Sequence, residues 1–101
     1  MEIAKLAEDL GLGIDDISEL LELYVQTTSC NLEELRAGLN AKDADEVHKK
    51  AHSIKGASGN LGLHELYRLA KEIDDLAIVG SLEGLEALVQ LFQKEFENFA
   101  E

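Results

Sequence analysis

Largely apolar residues recur along this chain at the three- and four-residue spacing of an amphipathic α-helix. They form four stripes, each of which can bury one face of a helix. The stripes comprise Ile17, Leu21, Tyr24, Thr28, Leu32, Leu35 and Leu39; Val47, Ala51, Ile54, Ser58 and Leu61; Leu63, Leu66, Ala70, Ile73 and Ala77; and Leu85, Leu88, Phe92, Phe96 and Phe99. No proline is present to interrupt a helix. The pattern therefore predicts an all-α protein.

Short polar or glycine-containing joints separate the stripes. Asp43 and Glu46 have the spacing of a capping box, and Asn60, Gly62 and Gly80 can supply the left-handed backbone that ends a helix. Joints this short place successive helices antiparallel. We predict one domain, residues 1–101, folded as an antiparallel up-down-up-down four-helix bundle with a short extra N-terminal helix. The predicted helices are 3–10, 14–40, 44–60, 63–79 and 82–99.

Composition narrows the class of protein. The 101 residues carry a formal net charge of −12, which disfavours nucleic acid and anionic lipid as partners. Cys30 is the only cysteine, as expected in a reducing compartment. No apolar run approaches the roughly 18 residues that span a bilayer, and the N-terminus does not resemble a signal peptide. These features predict a soluble cytoplasmic domain that does not contact membranes.

The second stripe lies in a segment whose charge opposes that of the whole chain. Residues 47–64 contain no Asp or Glu, but they hold all three histidines and three of the lysines. Such a segment suits an anion such as a phosphoryl group. The alternative is chance clustering on a solvated helix face.

Helical geometry turns His52 away from the buried stripe and toward water. His48, Lys55 and Gly59 share its flank, so the Lys55 ammonium, one turn away, can reach an anion on the imidazole. Gly56 points directly away from the core and leaves room for another protein to approach. Each glycine inside a helix destabilises it by about 1 kcal/mol relative to alanine. The alternatives are an exposed histidine without a role and a glycine that is merely tolerated.

Asp74 is predicted to lie at the height of His52 on the next helix. A carboxylate that accepts a hydrogen bond from Nδ1–H would fix the tautomer and leave Nε2 as the nucleophile. The alternative is an ordinary surface aspartate beside Asp75.

The run AHSIKGASGNLGL, residues 51–63, resembles the signature of histidine-containing phosphotransfer (HPt) domains. The resemblance implies that His52 is phosphorylated on Nε2 and that Lys55, a surface cation, neutralises the phosphoryl oxygens. The family often has Glu or Gln where Asp74 stands, and aspartate is one methylene shorter. The expected docking residues are Gly56, Gly59, His48 and Lys49.

The resemblance also implies the partners. They would be response-regulator receiver domains and a hybrid sensor histidine kinase, with Mg²⁺ supplied by the receiver and no cofactor held by this chain. Gly11 and Gly13 are not followed by the Lys-Ser/Thr of a phosphate-binding loop, so we predict a phosphocarrier and not a kinase. The initial methionine favours a free-standing protein, and we expect a monomer.

Two other interpretations stay open. One is a helical adaptor that binds signalling proteins without being phosphorylated. The other is a zinc site at His48 and His52. It is disfavoured because Lys49 stands where the zincin pattern has Glu, and because two lysines between the ligands would repel a dication. Leu23 and Cys30 lie off the main stripe, and we expect them to fill the core rather than form a docking patch.

Overall fold

The computed structural model describes residues 3–101, and five α-helices account for most of them. They are α1 (Ile3–Leu10), α2 (Ile14–Asn40), α3 (Ala44–Asn60), α4 (His64–Ile78) and α5 (Leu85–Ala100). The described residues contain no strand. The all-α prediction is confirmed.

Helices α2 to α5 form an elongated antiparallel bundle of about 42 × 19 × 18 Å. Helix α2 packs against α3 and α5, and α4 packs against the same two helices, so the four enclose one core. Phe92, Leu35, Ile54, Leu69 and Ile73 are among its fully buried side chains. Burying a side chain of this size contributes about 1.5–3 kcal/mol. The predicted four-helix bundle with an extra N-terminal helix is confirmed.

The short helix α1 packs against α2 at one end of the bundle. Its Ala7 is buried with Ile17 and Leu21 of α2. Leu6 and Leu10 pack against the same three residues. Helix α1 therefore covers α2, and Leu6 also contacts the main core.

The joints between helices have the chemistry that the sequence predicts at Asp43, Gly62 and Gly80, whereas Asn60 is the last residue of α3 and has no left-handed backbone. The Glu46 backbone N–H donates to Asp43 Oδ1 at 3.2 Å, so Asp43 caps α3. Gly62 and Gly80 adopt φ of +69° and +73°, the left-handed region in which glycine is favoured.

Helix α5 begins at Leu85, three residues later than the sequence predicts. The reason is Gly84, whose φ of +83° is incompatible with a helix. Leu82 still packs against the core from the preceding turn, which explains why its position fits the apolar stripe. Helix α4 is one residue shorter at each end than predicted, because Leu63 and Val79 are its flanking caps.

The expectation that Leu23 and Cys30 fill the core is wrong. The side chain of Leu23 is 60% exposed, and Cys30 is exposed as well. Helix α1 instead packs against Ile17 and Leu21 of α2.

Candidate functional site

The outer face of α3 presents His52 to solvent. Ala51 and Ile54 of the same helix are buried in the core, which turns His52 outward. Its side chain is 66% exposed. The imidazole is therefore accessible to another protein while its helix is anchored from behind.

Asp74 of α4 lies beneath this face and is 1% exposed, so the alternative of a surface aspartate is wrong. His48 Nδ1 makes a short hydrogen bond with Asp74 Oδ1. Lys55 Nζ donates to Oδ2 at 3.1 Å. His52 Nδ1 lies 3.5 Å from the same Oδ2. Three basic side chains of α3 thus surround one buried carboxylate.

The carboxylate hydrogen-bonds to His48 and Lys55, whereas its contact with His52 is longer than an ordinary hydrogen bond. Asp74 does lie at the height of His52, and its short side chain stops just outside hydrogen-bond distance. A direct hydrogen bond from His52 Nδ1–H to Asp74 accordingly stays a prediction. The contact between His48 and Asp74 was not predicted from the sequence. It could have been, because His48 lies one turn before His52 on the same flank of α3.

The charge of Asp74 follows from these partners. Burial raises the pKa of the Asp74 carboxyl, but hydrogen bonds from His48 and Lys55 outweigh burial and hold the pKa below its ordinary value of 3.8. Asp74 is therefore ionised at neutral pH. It balances positive charge on an α3 segment that carries no acidic residue of its own.

We expect Asp74→Asn to lower the free energy of unfolding by about 2 kcal/mol near neutral pH, because a neutral amide cannot replace a carboxylate that is bound to His48 and to the Lys55 ammonium. A group whose pKa is depressed by folding stabilises the protein above its unfolded pKa, and that contribution is lost as the pH falls through the folded value. The difference in free energy of unfolding between wild type and Asp74→Asn should therefore shrink below about pH 4. Urea unfolding of both proteins near neutral pH and below about pH 4 measures this difference.

Asp75→Asn is the matched control, since Asp75 is exposed and, within residues 3–101, pairs only with Lys71, at 2.9 Å on the surface. Asp75→Asn should lower the free energy of unfolding by less than about 0.5 kcal/mol. An Asp74→Asn deficit that is equally large at both pH values would mean that the carboxylate acts through packing and not through charge.

The glycines of α3 differ in what surrounds them. A Cβ placed on Gly56 would meet no atom within 4 Å, whereas one on Gly59 would lie 3.7 Å from the Tyr67 ring. The open space beside His52 is therefore at Gly56, one turn along the helix. Gly59 instead lies against α4.

The lysines of α3 also differ in their surroundings. Lys50 pairs with Glu34 of α2 at 2.5 Å. Lys49 is exposed and forms no ion pair within residues 3–101. His48 is 39% exposed, with its Nδ1 directed at Asp74. Of the predicted docking residues, Gly56 and Lys49 are thus the open ones, while His48 and Gly59 face α4.

Comparison with known proteins places this arrangement in a family. Residues 19–101 match the model of the Hpt domain. The chain belongs to the Hpt family. Its structure resembles the crystal structure of histidine-containing phosphotransfer protein B (HptB) from Pseudomonas aeruginosa PAO1, with a TM-score of 0.81 and 34% identity. The match covers 94% of this chain and 80% of HptB.

A second relative is the sensor protein TorS of Escherichia coli K12, which is 27% identical over 75 residues. The match spans 73% of this chain and 8% of the length of TorS. Membership of the Hpt family supports a phosphotransfer role in phosphorelays, in which Hpt domains interact with receiver domains and histidine kinases. Among residues 3–101, no helix is both long and apolar enough to cross a membrane.

Proposed function

We propose that this Hpt domain carries a phosphoryl group on Nε2 of His52, taking it from a receiver-domain aspartate and passing it to another receiver. The observation that carries the proposal is the arrangement around His52. The imidazole is exposed, its Nδ1 lies 3.5 Å from a buried carboxylate, and a lysine lies one turn away. Nε2 is then the ring nitrogen available for transfer.

The chemistry requires little of the carrier, because phosphoryl transfer depends mainly on positioning and charge neutralisation. The P–O bond to the receiver's aspartate breaks as the bond from Nε2 to phosphorus forms. The proton on Nδ1 stays on the ring, where the negative charge of Asp74 favours it. Lys55 would then neutralise the phosphoryl oxygens, and the receiver would supply Mg²⁺.

Docking would use the surface around Gly56. Leu23 lies three helical turns before Glu34 on α2, and Glu34 pairs with Lys50 of α3, so Leu23 is on the flank of α2 that faces α3. Tyr24, the residue after Leu23, hydrogen-bonds to Ser58 of α3 at 2.7 Å. Because Ser58 lies one to two helical turns from His52, Leu23 lies at a similar distance from His52 along the bundle axis. An exposed leucine and an open glycine near the histidine suit a receiver surface with an apolar patch.

Gly56→Gln is expected to weaken receiver binding by about tenfold or more, because a side chain would occupy the space in which the partner approaches. The helix itself should become more stable, by about 1 kcal/mol at most, since glycine is the poorer helix former. Calorimetric titration with a receiver domain and thermal unfolding measure the two effects.

Gly56→Ala is the matched control, since alanine stabilises the helix relative to glycine but adds only a methyl group to the surface. Its affinity should stay close to that of wild type. If Gly56→Gln bound the receiver as tightly as wild type, the partner would not approach through the space at Gly56.

The test of the proposed function is incubation of the wild-type protein with a phosphorylated receiver domain and Mg²⁺. We expect label to move to this chain as an acid-labile, base-stable phosphate, as phosphohistidine requires. A helical adaptor would bind the receiver and remain unlabelled. Binding without transfer from receivers of its own organism would therefore overturn the proposal.

A further inference from the structure

Lys55 has two tasks if the proposed function holds, and the inference below rests on that function. In the structure its Nζ donates to Asp74 Oδ2 at 3.1 Å, and its side chain is only 24% exposed. During transfer the same ammonium would have to contact the oxygens of a phosphoryl group on His52. Lys55 must then give up part or all of its contact with Asp74.

Releasing Asp74 without a replacement would be costly. Its side chain is 1% exposed while the lysine covers it, so the carboxylate depends on donors from the protein and not on water. A buried carboxylate that loses its partners suffers a large desolvation penalty. A second donor that stays in place would remove most of that penalty.

His48 is in the position of such a donor. Its Nδ1 hydrogen-bonds to the other carboxylate oxygen, Oδ1, so it does not compete with Lys55 for the same atom. It lies one turn before His52, on the side away from Lys55, and its ring centre is 5.9 Å from that of His52. It can therefore keep Asp74 hydrogen-bonded and in place while Lys55 moves.

We propose that His48 is a positioning residue for the phosphotransfer. By holding Asp74 Oδ1, it lets Lys55 move to the phosphoryl group and keeps the carboxylate within reach of His52 Nδ1. The role belongs to this chain's combination of a short aspartate and a histidine one turn from the acceptor. His48 itself takes no phosphoryl group.

The test measures transfer from a phosphorylated receiver as a function of receiver concentration, in wild type, His48→Ala and His48→Asn. In the Ala variant we expect the maximum rate to fall by about tenfold, the equivalent of losing one hydrogen bond to a charged group. The receiver concentration at half-maximal rate should change little. The Asn variant, whose amide N–H lies near the position of Nδ1, should recover most of the rate.

A nitrogen-15 spectrum of the imidazoles gives a second readout. Loss of His48 should change the tautomer balance of His52, and His48→Asn should restore it. Both variants should fold, because Lys55 still pairs with Asp74 at rest; circular dichroism checks this. His64→Ala is the control, since His64 is exposed on α4 and should change neither readout.

The inference and the proposed function fail in different ways. A wild-type protein that accepts no phosphate contradicts the function itself. A wild type that is labelled, with His48→Ala transferring at the same rate, overturns only the role of His48. Phosphate found on His48 would also overturn it, because a phosphorylated His48 would be an acceptor and not a positioning residue.

Coupling to Lys55 provides a further check. If His48 acts by freeing the lysine, the rate loss of the double variant His48→Ala/Lys55→Ala should be smaller than the product of the two single losses. Losses that multiply would mean that His48 acts independently of Lys55, against the inference.

Discussion

His52→Ala is expected to abolish labelling from a phosphorylated receiver, because the substitution removes the proposed nucleophile. The side chain is 66% exposed, so its loss should leave the bundle and its thermal unfolding almost unchanged. The measurement is the phosphate retained on the chain after separation from the receiver, with circular dichroism to confirm the fold. This is the largest effect that we expect from any single substitution.

His64→Ala is the matched control for His52→Ala. It removes another exposed histidine near the same glycine-rich segment, and labelling should persist. Label retained by His52→Ala would assign the nucleophile elsewhere. His48 would be the first residue to examine, because its Nδ1 already contacts a carboxylate.

Lys55→Ala is expected to slow phosphotransfer by a factor on the order of 10², the range seen when one donor to a developing negative charge is removed. The sequence predicted that Lys55 is a surface cation. The structure corrects this expectation, since Lys55 is largely covered and is bound to buried Asp74. We therefore expect the free energy of unfolding to fall as well, by about 1–2 kcal/mol.

Lys49→Ala separates the charge of α3 from the particular position of Lys55. Lys49 is exposed on the same helix and contacts no carboxylate within the described chain. Because Lys49 is a predicted docking residue, the rates are compared at saturating receiver concentration. There its removal should change the maximum transfer rate by less than about threefold, and it should change the free energy of unfolding by less than about 0.5 kcal/mol. Stopped-flow transfer kinetics and urea unfolding compare the two variants. A Lys55→Ala protein that transfers as fast as Lys49→Ala would show that its ammonium does not act on the phosphoryl group.

The helices could be predicted from the sequence because their signals are local. Apolar spacing depends only on the 3.6-residue period, and the Asp43 cap and the Gly62 and Gly80 turns act within a few residues. The predicted start of α5 was wrong for a local reason too. Leu82 extends the apolar stripe toward the N-terminus, but the left-handed backbone at Gly84 prevents the helix from beginning before Leu85.

The exposed histidine, its neighbouring lysine and the open glycine could also be assigned from one helix alone. His52, Lys55 and Gly56 lie within five residues, so helical geometry determines their directions relative to the buried stripe. The family signature lies in the same short segment. Local sequence therefore determined where the proposed phosphate site is.

The partners of Asp74 were decided only by the tertiary structure. Whether an aspartate on α4 is buried, and whether it reaches His48 or His52, depends on the distance between two helices and on one methylene of side-chain length. Leu23 and Cys30 show the same limit, since the packing of the helices leaves both exposed although both could have been covered. Apolar periodicity specifies which way each residue faces on its own helix. Packing between helices decides what each side chain meets there, because that contact is set by residues far away in the chain.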